Sequence, residues 1–246
     1  MAASNRAFPF LRLNTRDDKP RHRGITEIRG PYYSAIGPRY LADVLDTMGA
    51  YVDALKFAGG SFARMPRDAL AAIVDVCHRH DVLVSTGGFI EYVLGQGADA
   101  VDAYIAEAKA IGFDIVELSC GFITIPMDDW LRLAERVTNA GLKAKPELGI
   151  QFGAGGASTA KELQAEGTRD ARWLIAQARR FLAAGAYMIM IESEGITESV
   201  TQWRTDVPSA IASELGLDRI MFEAGGAASR RFAADAHACS KVRGSP

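Results

Sequence analysis

Cysteine is scarce in this chain and does not pair by spacing: Cys77, Cys120 and Cys239 are widely separated, odd in number and form no C-x-x-C unit. A disulfide frame or thiolate zinc site is therefore excluded as the organising principle, and reduced thiols are expected. Histidine is nearly as rare. His78 and His80 stand two apart in a helical pattern, so they point to different faces and form no chelating pair. No apolar run approaches the ~18 residues that span a bilayer, and the start, MAASNRAFPFLRLNTRDDKPRHR, lacks the apolar stretch of a secretory signal. A cytoplasmic protein is the expectation. An excess of one charge is also missing: 28 basic against 30 acidic residues give a net charge of -2, with no electrostatic footprint for nucleic acid or an anionic membrane. The expected partners are a small anionic substrate and, in a homo-oligomer, further copies of the chain.

What the chain does have is a repeat. Its 246 residues, 48% hydrophobic, can bury one substantial core, and nothing forces a second domain. Residues 1–22 read as an irregular lead-in, 23–226 as the folded domain and 227–246 as an atypical tail. From Gly24 onward an apolar run ending in a polar residue, a glycine-containing turn and an amphipathic helix recur. Strands are predicted within 25–30, 51–60, 81–88, 113–121, 142–149, 187–195 and 219–226. Helices are predicted over 39–50, 67–80, 100–112, 127–141, 171–185 and 207–218. Glu27, Lys56, Thr86, Glu117, Glu147, Glu192 and Glu223 take comparable places in successive strands, at intervals of 29, 30, 31, 30, 45 and 31 residues. A βα unit takes about 30 residues, so this pacing predicts a TIM-type (β/α)8 barrel, with a doubly wound sheet as the structural alternative. The long step carries about 15 extra residues, the segment 151–169, on the carboxyl face where barrel active sites lie. An eighth strand should begin about 25 to 30 residues after Glu223, yet the sequence stops at Pro246. The barrel is thus expected to lack or alter that strand, or to receive it from a partner.

The stretch KAKPELGIQFGAGG, residues 143–156, concentrates the chemistry. In an extended strand Lys143, Lys145 and Glu147 share a face. The loop after them carries Gly149, Gly153, Gly155 and Gly156, whose backbone can approach an anion closely. Lys56, Glu117, Lys145, Glu147, Glu192, Glu194 and Glu223 all fall toward the carboxyl ends of predicted strands, and strand parity puts Glu192 and Glu194 on one face. Acids there are costly to bury unless paired or bound to a cation, and oxygen-only ligands on rigid strands suit Mg²⁺. Ser85, Thr86, Gly87 and Gly88, with Glu91 just beyond, follow the third strand. A plainer reading makes the set mutually neutralising Lys–Glu pairs that fix barrel register. Glu91 also fits an ordinary first-turn helix acid, Met188 and Met190 packing, and Gly225 and Gly226 a strand-ending turn.

In order, KPRHRGITEIRG, YVDALKFAGG, STGGFIEY, GFDIVELSCG, KPELG, GAYMIMIESEGI and RIMFEA resemble the phosphosulfolactate synthase family, including its branch with the plant heat-stress-associated barrel protein. The likeness covers about residues 19 to 226. It implies a Mg²⁺-dependent (β/α)8 enzyme of coenzyme M biosynthesis that adds sulfite to phosphoenolpyruvate. By resemblance Lys56 matches the lysine of the V-K-F-G strand, Glu91 the acid after the G-G turn, Glu117 the E-I-S strand and Glu147 the E-V-G turn. Glu192 and Glu223 match the later strand-end glutamates. From the strand-end pattern and the resemblance together, Lys56, Lys145 and Glu147 are expected in catalysis and Glu117, Glu192, Glu194 and Glu223 on the metal. Arg29, Ser85, Thr86, Gly87, Gly88, Gln151, Gly153, Gly155 and Gly156 would hold the substrate and its phosphate. The chain departs from the family where two lysines follow E-V-G, having Ile150 and Gln151, neither of which can donate a proton; Lys145 is the candidate substitute. The family's D-K-G is here Ile28, Arg29 and Gly30, which keeps a cation and loses an acid. After Arg231 the likeness ends without the closing V-N-L strand, and a frameshift or truncation is the expectation. The alternative function is a non-catalytic or ligand-sensing barrel of the heat-stress-associated type, acting through a protein partner.

Overall fold

A computed structural model describes residues 7–11, 16–30, 36–151, 159, 161 and 170–224. Each apolar run forms a short strand: β1 Glu27–Arg29, β2 Ala54–Lys56, β3 Leu83–Ser85, β4 Ile115–Leu118, β5 Lys143–Leu148, β6 Ile189–Ile191 and β7 Ile220–Phe222. All lie inside the windows read from sequence. β2, β4 and β6 are buried along their whole length, as parallel strands covered on both faces must be. Between them run α1 Pro38–Met48, α2 Arg67–Arg79, α3 Ile90–Leu94, α4 Ala98–Ile111, α5 Met127–Asn139, α6 Ala171–Ala183 and α7 Asp206–Leu215.

The helices form where apolar side chains recur at three- and four-residue steps. α2 buries Leu70, Ile73, Val74 and Cys77, and α6 buries Leu174, Ile175, Ala178 and Phe181. Their ends follow local chemistry: proline opens α1, the Asp170 carboxylate accepts from the Arg172 amide at 2.8 Å to start α6, and Gly112 closes α4 at φ +105°. α3 is five residues long, too short to display a helical period in sequence.

All seven strands are parallel, and their order in the sheet is their order in the chain. A doubly wound sheet reverses order midway, so that alternative falls and the (β/α) barrel stands. The curl is visible in contacts across the lumen. Lys145 of β5 reaches Glu27 of β1, and Arg29, ending β1, ion-pairs with Glu223 just beyond β7. Among the described residues there is no eighth strand, and β1 and β7 are not hydrogen-bonded to each other. The tail 227–246 lies outside the described residues.

Part of the lead-in is tied down. Arg16 and Arg21 both grip Asp53, at 3.2 and 2.6 Å, and Lys19 donates to the carbonyls of Gly49 and His80. The two histidines point apart, His78 to Asp114 and His80 to Asp46. No described helix is long and apolar enough to cross a membrane. Cys77 is fully enclosed in the core, and burial, with Asp114 nearby, pushes its thiol up to about 12. Thiolate is the reactive form, so iodoacetamide at pH 8 should leave Cys77 unmodified by peptide mass spectrometry until the protein is denatured; labelling of the native protein at this site would contradict the packing.

Candidate metal and anion site at the carboxyl mouth

Charged side chains fill the upper lumen in two layers. The deeper one is a line of alternating sign. Lys145 is completely enclosed. Its Nζ donates to both oxygens of Glu27, at 2.6 and 2.7 Å, and lies 3.0 Å from Oε2 of Glu117. Glu117, itself 1% exposed, meets the Lys56 ammonium with both oxygens, Oε1 at 3.0 Å and Oε2 at 3.2 Å. Lys56 in turn stands 3.8 Å from Oε1 of Glu147.

The upper layer is acidic. One carboxylate oxygen from each of Glu147, Glu192 and Glu223 comes within 4.8 Å of the others, a grouping that could hold a metal ion. The elements explain why they meet. Glu147 is the penultimate residue of β5, Glu192 follows β6 directly and Glu223 follows β7 directly, so three neighbouring parallel strands deliver acids at one height. On the facing side, Arg29 and Lys56 are register partners on β1 and β2. Arg29 pairs with Glu223, and Lys56 reaches Glu147.

Electrostatics separates the layers. Burial alone would raise the Glu117 carboxyl, but the ammonium groups of Lys145 and Lys56 overcome it and hold it at about 2. Lys56 is held above the usual lysine range because Glu117, Glu147 and Glu27 outweigh its own burial. Glu147 goes the other way: burial, reinforced by Glu117, pushes it up to about 8 against the pull of Lys56. Burial also raises Glu192, with Glu194 adding to it. The upper layer is therefore short of positive charge.

A depressed carboxyl contributes stability above its unfolded value and loses it as pH falls through the folded one. For Glu117 that window runs from the ordinary 4.5 down to about 2, and the contribution is about 3 kcal/mol at one pH unit per 1.36 kcal/mol. Glu117→Gln should flatten the loss of urea stability between pH 5 and 3; an unchanged slope would contradict the arrangement.

The remaining predicted residues scatter around this centre. Ser85 and Thr86 are buried braces: the Ser85 hydroxyl accepts from the Gly87 amide at 3.4 Å, and the Thr86 hydroxyl donates to the Gly87 carbonyl at 3.1 Å. Gly87 sits at φ +60°, where a Cβ would come 2.2 Å from the Phe57 carbonyl. A Cβ on Gly88 would lie 2.8 Å from that of Ser119 and 3.8 Å from Oε2 of Glu147, so this turn edges the acid group. Glu91 stands outside the triad. It accepts from the Ser119 hydroxyl and the amides of Gly121 and Phe122, at 2.5, 3.0 and 2.8 Å, pinning the loop after β4. Glu194 is also outside the triad. β6 stops at Ile191, so strand parity does not carry to Glu194, whose amide donates to Oε1 of Glu192 at 3.0 Å in a turn. Gln151 packs against Gly195, where a Cβ would meet its Cγ at 2.4 Å. Gly153, Gly155 and Gly156 lie outside the described residues.

Two further residues, Lys143 and Glu27, differ from their sequence expectation. Lys143 opens β5, exposed, its Nζ 5.3 Å from the centre of the Tyr187 ring. At ~3.3 Å per residue, four residues separate it from Glu147 by about 13 Å, so sharing a face does not place it in the mouth. Glu27, read only as a pacing residue, is a partner of Lys145. The signal was present, since Glu27 and Arg29 share a strand face and both are charged.

Fold and site together define a (β/α)-barrel protein with a charged mouth at the carboxyl ends of its strands. The chain belongs to the (2R)-phospho-3-sulfolactate synthase (ComA) family, whose sequence profile matches residues 14–233. It is 34% identical over 234 residues to Protein HEAT-STRESS-ASSOCIATED 32 of Arabidopsis thaliana, covering 91% of this chain and 82% of that protein. It is 28% identical over 224 residues to the phosphosulfolactate synthase of Methanothermobacter thermautotrophicus, covering 89% of this chain and 81% of the relative. Among solved structures it is similar to the carboxyl transferase domain of Rhizobium etli pyruvate carboxylase with 3-bromopyruvate. The TM-score is 0.56 at 13% identity, over 82% of this chain and 36% of that one. At such identity the likeness concerns the barrel architecture alone.

Proposed function

We propose that this chain is a phosphosulfolactate synthase-like lyase that holds Mg²⁺ and a small phosphorylated carboxylic acid at the barrel mouth, with phosphoenolpyruvate and sulfite as reactants. The observation that carries this reading is the facing of three carboxylates, Glu147, Glu192 and Glu223, by two register-paired cations, Arg29 and Lys56. With Arg29 paired to Glu223, Glu147 and Glu192 remain as acids that burial raises and a cation would draw into the ionised form, and oxygen-only donors fit a hard divalent cation. Bound there, the ion would supply charge stabilisation as negative charge develops on the substrate carboxylate. Family membership supports the same reading, as does the likeness to the archaeal phosphosulfolactate synthase.

In this reading the sulfur lone pair of sulfite forms the C–S bond at the methylene carbon, and the π electrons move toward the carboxylate. A proton then returns to the adjacent carbon. Ile150 is sealed in the core and Lys145 is enclosed between Glu27 and Glu117. Lys56 is therefore the described lysine that reaches the mouth, where it contacts the anion and delivers the proton. ³¹P NMR of the protein with Mg²⁺, phosphoenolpyruvate and sulfite should reveal a new phosphate monoester, absent with EDTA. No new resonance for any phospho-enol acid would refute catalysis.

A second reading rests on Ile150 and Gln151, which replace the lysines expected after Glu147, together with the 34% identity to HEAT-STRESS-ASSOCIATED 32. Here the mouth binds its anion without turnover and the barrel acts through a protein partner. Magnesium-dependent binding of phosphoenolpyruvate with no product would select it.

A further inference from the structure

The deeper layer of charge has a job that the proposed reaction leaves unassigned. Side-chain exposures along the line Glu27, Lys145, Glu117 and Lys56 are 4, 0, 1 and 8%. Two ammonium groups and two carboxylates sum to zero. Barrel lumens are ordinarily filled by branched apolar side chains, and buried ion pairs give little or no stability over apolar replacements. Packing alone therefore does not account for four charged residues here. The geometry does. A lysine amine on its four-carbon stem has wide freedom, and that of Lys56 is held by both oxygens of Glu117, at 3.0 and 3.2 Å. Glu117 cannot turn away, because Lys145 stands 3.0 Å from its Oε2, the oxygen that also accepts from Lys56 at 3.2 Å. Lys145 cannot move either, since both Glu27 oxygens clamp it at 2.6 and 2.7 Å.

We propose that Glu27, Lys145 and Glu117 are positioning residues for Lys56, a closed relay that holds its ammonium oriented at the mouth before any anion arrives. The proposal rests on the reading above in that Lys56 is the group that meets the substrate. It removes Lys145 from the chemistry: its amine donates to three carboxylate oxygens and has no surface of its own. Orientation in advance saves the substrate the entropy of ordering a flexible donor.

The test is the rate of reductive methylation of individual lysines in the native protein, followed by peptide mass spectrometry. Methylation needs an amine that is neutral and free to move, so wild-type Lys56 should react slowly. Glu27→Gln, nearly isosteric, should let Lys145 draw Glu117 toward itself and raise the Lys56 rate more than tenfold. Exposed Lys143 on the same barrel should react at an unchanged rate. The same variant should bind phosphoenolpyruvate with Mg²⁺ at least tenfold more weakly. An unchanged Lys56 rate in folded Glu27→Gln overturns the relay, even where the melting temperature falls. If wild-type protein does not bind phosphoenolpyruvate, the functional reading fails while the methylation arm still decides the relay. The double variant Glu27→Gln/Lys145→Met removes one charge of each sign, so acceleration there reports a freed Lys56 rather than a lost carboxylate, and it carries the test also where Glu27→Gln does not fold. Acceleration at Lys56 supports the proposal and an unchanged rate overturns it.

Discussion

Replacing Lys145 by alanine is expected to cost about 3–5 kcal/mol of folding stability, the range for breaking a buried ion pair by removing one partner. The side chain is fully enclosed, and its loss would leave Glu27 and Glu117 as carboxylates with 4 and 1% exposure and one ammonium fewer between them. Against a typical total of about 5–15 kcal/mol, that loss unfolds a marginal domain near physiological temperature. Urea unfolding at pH 7 measures it. Lys143→Ala is the control, since the same residue type on the same strand is exposed and should stay within about 0.5 kcal/mol of wild type. Equal effects from the two substitutions would mean that the line of charge contributes nothing to holding the barrel together.

The second large effect is expected at Glu192. It is buried and belongs to the acid triad, and the Glu194 amide, at 3.0 Å, fixes one of its oxygens. Glu192→Gln keeps shape and hydrogen bonding but removes one charge from the three that would hold a cation. Losing an outer-shell partner already lowers metal affinity about 10–100-fold, and loss of a direct ligand should exceed that. Titration of Mn²⁺ as a spectroscopic stand-in for Mg²⁺, read by electron paramagnetic resonance, should find a bound ion in wild type and none at the same concentrations in the variant. Glu91→Gln, whose carboxylate is committed to Ser119 and two loop amides, should retain binding. A cation bound equally well by Glu192→Gln would remove the triad from consideration.

The backbone was more legible in the sequence than the site. Seven strands and six helices follow from apolar runs and 3.6-residue stripes that tertiary packing only reinforces, and near-equal steps of about 30 residues are a property of the βα unit itself. That Glu147, Glu192 and Glu223 end three successive strands was readable for the same reason, although Glu27 and Glu117, equally paced, lie in the deeper layer. Pacing does not say which charges pair across the lumen. The clamp of Glu27 on Lys145 joins residues 118 apart in the chain and depends on barrel curvature, which no local pattern encodes. Lys143 illustrates the converse: parity gave its face correctly, and only the length of β5 separates it from the mouth. Glu194 lies outside the acid triad because β6 ends at Ile191, so the alternation that puts it on one face with Glu192 does not extend to it.

In the proposed function a divalent cation and an anionic substrate share the mouth of the barrel, each held by a different side of it. Calorimetric titration of phosphoenolpyruvate into the protein with Mg²⁺, and again with EDTA, addresses that most directly. Binding that requires Mg²⁺ and disappears in both Glu192→Gln and Lys56→Ala is the predicted result. Binding that is the same with EDTA, or that survives both substitutions, would contradict it.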